Sequence, residues 1–462
     1  MSRKTTPLFH IRGRAVKGTA LFLTNHIKHF LICAYFQGIR ILVRIQTELH
    51  FCALCTNIKR ETCMTEEIQT MVSALRAPIL KFRQAMSKIV FGPSQIFGHR
   101  VFSNTLVVPT QAEEWAKNVS TWTCFGPPAS GKTTAAKAYS MLLGCRTAFV
   151  VWGPELTSGQ LYGFLDYNIL DENNEPMYHP GALTPGSYNM FICDELVRGA
   201  VSRLNDLGPI FAEGKIMIEG RVFDIAPPDE PLIIVATSNP LGSAGTKRAS
   251  DFLVDRLIAG SIFDVPRENL RQLLQPQQHW RRIREQGLLT PVLSPRIIME
   301  TRRFFEQETS TPSYIIDYME ELLGTIDILT RRNWANHFPR ESLPPKWRAM
   351  KRLPSAPLFH QMGGRVAQHL ESLSRADSFL TYGSLETVAN ASENAVQAMA
   401  RAVFAHRFMY QIHEGGVDVR DIAHEEDILD FVKTATNWVI SLVPVRPLRR
   451  TNKTFSVLAN MF

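Results

Sequence analysis

The sequence predicts an α/β fold, a parallel sheet sandwiched by helices. Two observations predict it. GPPASGKT (126–133) is a small-residue loop set between an apolar run, TWTCF (121–125), and a good helix former, TTAAKAYSMLL (133–143). Two further runs, NMFICDE (189–195) and PLIIVATSNP (231–240), read as apolar strands whose last residues are polar.

The totals bound the rest. At 462 residues the chain is long enough to bury two or more cores. Hydrophobic residues make up 45% and charged residues 20%, which describes a globular protein and excludes a disordered or fibrous one. Seven cysteines, an odd number without a disulfide framework, point to a reducing cytoplasm. The net charge of +8 is local: residues 1–63 hold ten Lys/Arg against Glu48 and Glu61, and residues 64–462 carry 41 basic and 41 acidic residues. The body has no global bias toward phosphate backbones, so a nucleic-acid partner is not expected.

Residues 1–63 read as a basic leader rich in aromatics and cysteine. Its most apolar run, Phe30 to Val43, is broken by Gln37 and Arg40, too short for the roughly 20 apolar residues of a membrane span. It lacks a small-residue cleavage site. His50, Cys52, Cys55 and Cys63 read either as a zinc cluster or, since no second CxxC follows, as incidental thiols. Composition changes at Met64, where Thr65 is a candidate helix cap with Glu66 and Glu67 in a first turn. The expectation is that the functional protein starts near Met64, with an N-terminal helix over 64–91, and that the leader is an over-extended reading frame or a dispensable arm.

The loop carries the chemistry. Gly126, Pro127, Pro128, Ala129, Ser130, Gly131, Lys132 and Thr133 fit G-x-x-x-x-G-K-[ST], followed by Thr134. The backbone N–H groups of such a loop form an anion nest, and the next helix adds its positive end. Lys132 is expected on the β- and γ-phosphates of a nucleotide and Thr133 on Mg²⁺. Asp194 is expected in the Mg²⁺ shell and Glu195 as the group polarising the attacking water; surface decoration is the plainer reading of that pair. Asn239, just past the third strand, suits orienting a water beside the γ-phosphate without adding charge. Arg256 in FLVDRL (252–257) reads either as a solvated residue or as a finger reaching a neighbouring subunit's γ-phosphate.

Taken in that order and spacing, these motifs resemble an AAA+ ATPase, and specifically the MoxR family. IFGHRVFSNTL (96–106), HPGAL (179–183), RGAVSRLNDLGPIFAEGKIMIEGR (198–221) and ATSNPLGSAGTKRASDFLVDRL (236–257) continue the match. The likeness covers about 92–260 and implies an α/β domain over 92–265, with adenine cradled by backbone near Phe97 and Gly98. The chain departs from the family's Asn at Val197, from its proline pair at Ala200 and Val201, and at KRASDFL (247–253). The resemblance also implies a helical lid over 266–442. Its sensor arginine falls either on Arg296 of LSPRI (293–297) or on a position occupied by Asn394. An insertion, about 333–385, dense in Pro, Gly, Arg and Trp, reads as a solvated loop or a partner-docking surface. A basic tail, 443–462, closes the chain.

The resemblance implies a Mg²⁺-dependent ATPase acting as a ring, a hexamer in family terms, that remodels a protein client, often with a von Willebrand factor A domain partner. A nucleic-acid motor or initiator and a gas-vesicle or chelatase-type ATPase are the alternatives; a non-catalytic nucleotide-gated scaffold is a third. No internal repeat, HExxH or GxSxG is present.

Overall fold

The computed structural model describes residues 57–89, 93–109, 118–199, 201–240, 251–264, 276–331, 333–349, 364–382, 389–411 and 425–445. Two compact units divide between Thr70 and Met71. In the first, the described residues 57–70 are helical. They begin helix α1 (Asn57–Ser87), so the cap expected at Thr65 is corrected. No glycine or proline stands between Asn57 and Ala77, and nothing there stops a helix from continuing back past Met64. His50, Cys52 and Cys55 lie outside the described residues.

The second unit is built on a five-stranded parallel sheet of order β2-β5-β8-β1-β9. The strands are β1 (Val119–Phe125), β2 (Thr147–Val151), β5 (Met190–Asp194), β8 (Leu232–Ser238) and β9 (Ala259–Ile262). Every residue of β1 and β8 is buried, the continuous pattern of strands covered on both faces. The register runs Val119 opposite Leu232 through Phe125 opposite Ser238, so the two strands end together. The edge strand β2 alternates instead, with Ala148 and Val150 buried and Phe149 and Val151 exposed.

Between β2 and β5 the chain forms the short helix α4 (Ser158–Tyr162) and a hairpin of β3 (Phe164–Leu170) and β4 (Pro176–His179). Between β5 and β8 it forms α5 (Val201–Glu213) and a second hairpin, β6 (Lys215–Ile218) with β7 (Arg221–Asp224). Glu219 joins the hairpins: it accepts from the Tyr167 hydroxyl and, at 3.3 Å, from the Leu165 amide.

Helix α2 (Pro93–Val107) packs on β9, and α3 (Lys132–Leu143) follows the β1 loop. Phe102 of α2 stacks on Tyr139 of α3 with centroids 3.9 Å apart, and Trp122 of β1 packs edge-on against both. Two-helix-and-strand contact of this kind buries large aromatic surface at one point of the core.

The remaining helices are α6 (Asp251–Arg256), α7 (Pro276–Glu285), α8 (Pro295–Glu308), α9 (Ser313–Leu329), α10 (Pro345–Arg348), α11 (Gly364–Tyr382), α12 (Ala389–Gln411) and α13 (Glu425–Leu442). The C-terminal region is helical as expected, and it is bound tightly to the sheet domain. The buried Arg302 guanidinium of α8 donates to the Leu106 carbonyl at 2.7 Å, the Asn118 carbonyl at 2.9 Å and the Ser120 hydroxyl. Asp377 of α11, fully buried, accepts from Arg100 Nε at 2.8 Å and Asn104 Nδ2 at 2.9 Å, both on α2. The sheet and these helices belong to the same compact unit.

Within the insertion expected at about 333–385, the described residues 333–349 and 364–382 mix exposed positions with buried side chains. Trp334 and Trp347 are buried and meet Trp438 of α13 at centroid distances of 5.6 and 5.2 Å. Trp438 Nε1 donates to the Ser342 carbonyl at 2.7 Å. A segment rich in Pro and Arg folds inward here because its tryptophans carry enough apolar surface to order it.

Candidate nucleotide site

The loop after β1 is shaped by two constraints. A Cβ on Gly126 would stand 2.2 Å from the Phe263 carbonyl oxygen, so the chain just past β9 approaches too closely for any other residue. Ala129 and Gly131 both take left-handed backbone, φ 64° and 88°, which turns successive amides inward. Gly131 is the N-cap of α3, so the helix's positive end opens onto the loop. From α2, Gln95 Nε2 donates to the Ser130 carbonyl at 2.8 Å and braces the turn.

Lys132 is buried, and its Nζ donates to the Gly126 and Pro127 carbonyls at 2.7 and 2.8 Å. The amine therefore sits inside the ring of loop backbone. Thr133 Oγ1 donates to Asp194 Oδ1 at 2.6 Å, and Thr237 Oγ1 donates to the same oxygen at 2.6 Å. Those two hydroxyls come from α3 and β8, so the carboxylate at the end of β5 is oriented from both sides. Hydroxyl and carboxylate oxygens side by side at the mouth of an anion nest are the hard donors Mg²⁺ takes, alongside water and phosphate oxygens. The residues present fit a magnesium nucleotide.

Glu195 follows in left-handed backbone, φ 57°, a conformation that costs a non-glycine residue roughly 1–2 kcal/mol. Its amide donates to Thr237 Oγ1 at 3.1 Å, which fixes the turn. Its carboxylate accepts from Arg198 at 2.6 Å, with both side chains partly exposed. Asn239 is buried one residue past β8, two residues beyond Thr237. Two neighbours of the loop, Cys124 and Cys193, are buried free thiols whose ionisation desolvation pushes well up, so they stay neutral.

Other expected residues fall elsewhere. Phe97 and Gly98 lie within α2, and a Cβ on Gly98 would stand 2.5 Å from the Phe263 ring, so this glycine lets α2 close on β9. Arg296 is exposed and pairs with Glu300 at 2.9 Å. The chain just before it bonds the far end of α3, Val292 N–H to the Leu142 carbonyl at 2.8 Å, about 15 Å along the helix from Lys132. Asn394 is exposed on α12. Arg256 ends α6, and its carbonyl accepts from Thr121 Oγ1 at 2.7 Å. Thr121 is four residues before the end of β1, about 13 Å along the strand. Arg256 thus stands toward the opposite edge of the sheet from its own loop.

Sequence reasoning assigned no role to Thr237, Arg198 or Gln95. The first lay inside ATSNP with its strand position legible; the other two act through contacts that no motif signals.

Strand, nest, helix and the carboxylate at the end of β5, one strand beyond the neighbouring β8, together define a P-loop nucleotide-binding protein. Residues 124–259 match the model of the ATPase family associated with various cellular activities (AAA), and this stretch includes the loop, Asp194, Glu195, Asn239 and Arg256. No curated protein matches the chain. Among solved structures the chain is similar to one from Cytophaga hutchinsonii ATCC 33406 described as a "putative ATPase", with a TM-score of 0.53 and 18% identity over 80% of this chain and 97% of that one. That likeness is one of fold.

Proposed function

We propose that this protein is a MoxR-like AAA+ ATPase that hydrolyses Mg²⁺-ATP in a ring, hexameric by family likeness, and uses the cycle to remodel a protein partner in the cytoplasm. The observation that carries the reading is the convergence of Thr133 and Thr237 on Asp194 beside a lysine-filled backbone nest. When bound, Mg²⁺ offsets charge on the phosphates; Thr133 and Asp194 would hold it. Lys132 binds the β- and γ-phosphates, releasing its loop carbonyls as it does so. Glu195 accepts the proton of the attacking water, which requires its carboxylate to leave Arg198. Asn239 orients that water. Phe97 and Gly98 lie in the segment assigned to adenine, and Arg256 is supplied to the neighbouring subunit.

A protein client is favoured by the two linked hairpins, which expose Phe164, Tyr167, Ile169, Leu170, Met177, Met217 and Val222. Exposed apolar surface of this extent on adjoining elements serves contact with another protein. A von Willebrand factor A domain partner follows from the family likeness alone.

Two variants test the site. Lys132→Ala should weaken ATP binding by about a hundredfold or more, since a buried charge-assisted contact is lost. Glu195→Gln should bind ATP with wild-type affinity and lose most turnover, because only the proton acceptor changes. Wild-type ATP affinity in the first, or wild-type turnover in the second, would contradict the assignment.

A further inference from the structure

The nucleotide loop is braced from outside at two points, and both lead to Phe263 and Asp264, the two residues after β9. At its start, the Phe125 carbonyl accepts from the Phe263 amide at 2.6 Å, and the Phe263 carbonyl lies against Gly126. On its far side, the Ser130 carbonyl accepts from Gln95 of α2, and the Oγ of the adjacent Ser94 accepts from the Asp264 amide at 3.0 Å. Phe263 is seated by packing: its buried ring lies edge-on to His99 at a centroid distance of 6.3 Å and 5.9 Å from that of Trp122. Asp264 is seated by charge: its carboxylate accepts from Lys433 Nζ, midway along α13, the two side chains 37% and 38% exposed. Lys433 is itself a fixed point, because its neighbours Val432, Ala435 and Thr436 are buried. One ion pair thus ties a C-terminal helix to both braces of the loop.

We propose that Lys433 is a positioning residue for the nucleotide loop: by holding Asp264 it keeps residues 263 and 264 against Gly126 and the first turn of α2, and so tunes ATP affinity from the C-terminal helices. The inference rests on the reading of the loop as an ATP site. A loop already held in its binding conformation loses less affinity to ordering when the ligand arrives. Without Lys433 the Asp264 carboxylate loses its cation, and the strut shifts among positions from which ATP binding must select one. An ion pair this exposed contributes little to global stability, so its removal should register in ATP affinity and leave the melting temperature in place. A direct bond from the Lys433 ammonium to a nucleotide phosphate makes the opposite prediction for Asp264: neutralising that carboxylate would release the ammonium and hold or raise affinity.

The test is equilibrium titration of the full chain with a fluorescent ATP analogue, with steady-state hydrolysis and melting temperature measured alongside. Lys433→Met and Asp264→Asn should each weaken binding about three- to fivefold, the reach of a partly exposed ion pair. KM for ATP should rise by the same factor while kcat stays at the wild-type value, since the loss is one of uniform binding. Lys433→Arg, which keeps a cation on Asp264, should bind as the wild type does. The double variant Lys433→Met/Asp264→Asn should be no weaker than either single one, because both remove the same pair. Should Lys433→Met not fold, Asp264→Asn breaks the pair from the other side and carries the same expectation. Wild-type affinity in the pair-breaking variants, beside the loss expected of Lys132→Ala, overturns the positioning role and leaves the reading of the loop standing. Weaker binding in Lys433→Met with undiminished binding in Asp264→Asn overturns it in favour of direct contact with the nucleotide. Wild-type affinity in Lys132→Ala overturns the reading on which it rests.

Discussion

His99 shows how one residue behind the site answers to solvent. It is buried between α2 and α3, its Nδ1 2.6 Å from the Tyr139 hydroxyl, and desolvation pulls its pKa down to about 3. The unfolded chain takes up a proton there near pH 6.5 and the folded chain does not. Between about pH 3 and 6.5 the unfolded state binds more protons, so the stabilisation is complete above that window and is lost as pH falls through it. The urea midpoint should therefore drop between pH 7 and pH 5, and His99→Gln should flatten the drop. Parallel pH profiles for the two proteins would contradict this. None of it was legible in the sequence, where His99 is one of thirteen histidines. The loop residues were legible because a phosphate nest is made by consecutive backbone amides. Thr237 and Arg198 were not, because their roles depend on which strand lies beside which.

At the scale of elements, β1, β5 and β8 were legible from their apolar runs, each within two residues of its observed ends, while the short strands β2 and β9 were not. The region 333–385 was not. Its N-terminal part is dense in Pro and Arg, and composition cannot show that three tryptophans distant in sequence meet. Trp334, Trp347, Phe338 and Trp438 form one cluster in which every ring lies within 6.5 Å of another. Trp347→Ala should destabilise the protein by about 3–5 kcal/mol in urea unfolding, with ATP affinity unchanged in the folded state. A loss below about 1 kcal/mol, the scale of a surface substitution, would return this segment to the status of a loop. The start of α1 was misread for a related reason: a plausible cap at Thr65 is silent when the residues before it also favour helix.

Across the whole molecule, the topology gathers the loop, Asp194 and Asn239 at one end of the sheet. All five strands run parallel, so the loop, Asp194 and Asn239 gather at their C-terminal edge. Arg256 precedes β9, and its carbonyl is bonded by Thr121, about 13 Å along β1 from the start of the loop. In the proposed ring, one subunit's Arg256 would meet the next subunit's loop, and an arginine supplied in this way contributes about a thousandfold or more to rate. Among the described residues no helix is long and apolar enough to cross a membrane. The most direct test of a shared site is ATP hydrolysis by mixtures of Glu195→Gln and Arg256→Ala. Each should be inactive alone and bind ATP normally. Mixed, they should recover activity that peaks at intermediate ratios, because some interfaces then pair an intact Glu195 with an intact Arg256. Activity that stays at zero across all ratios, with mixed assemblies verified by native mass, would contradict a site built from two subunits.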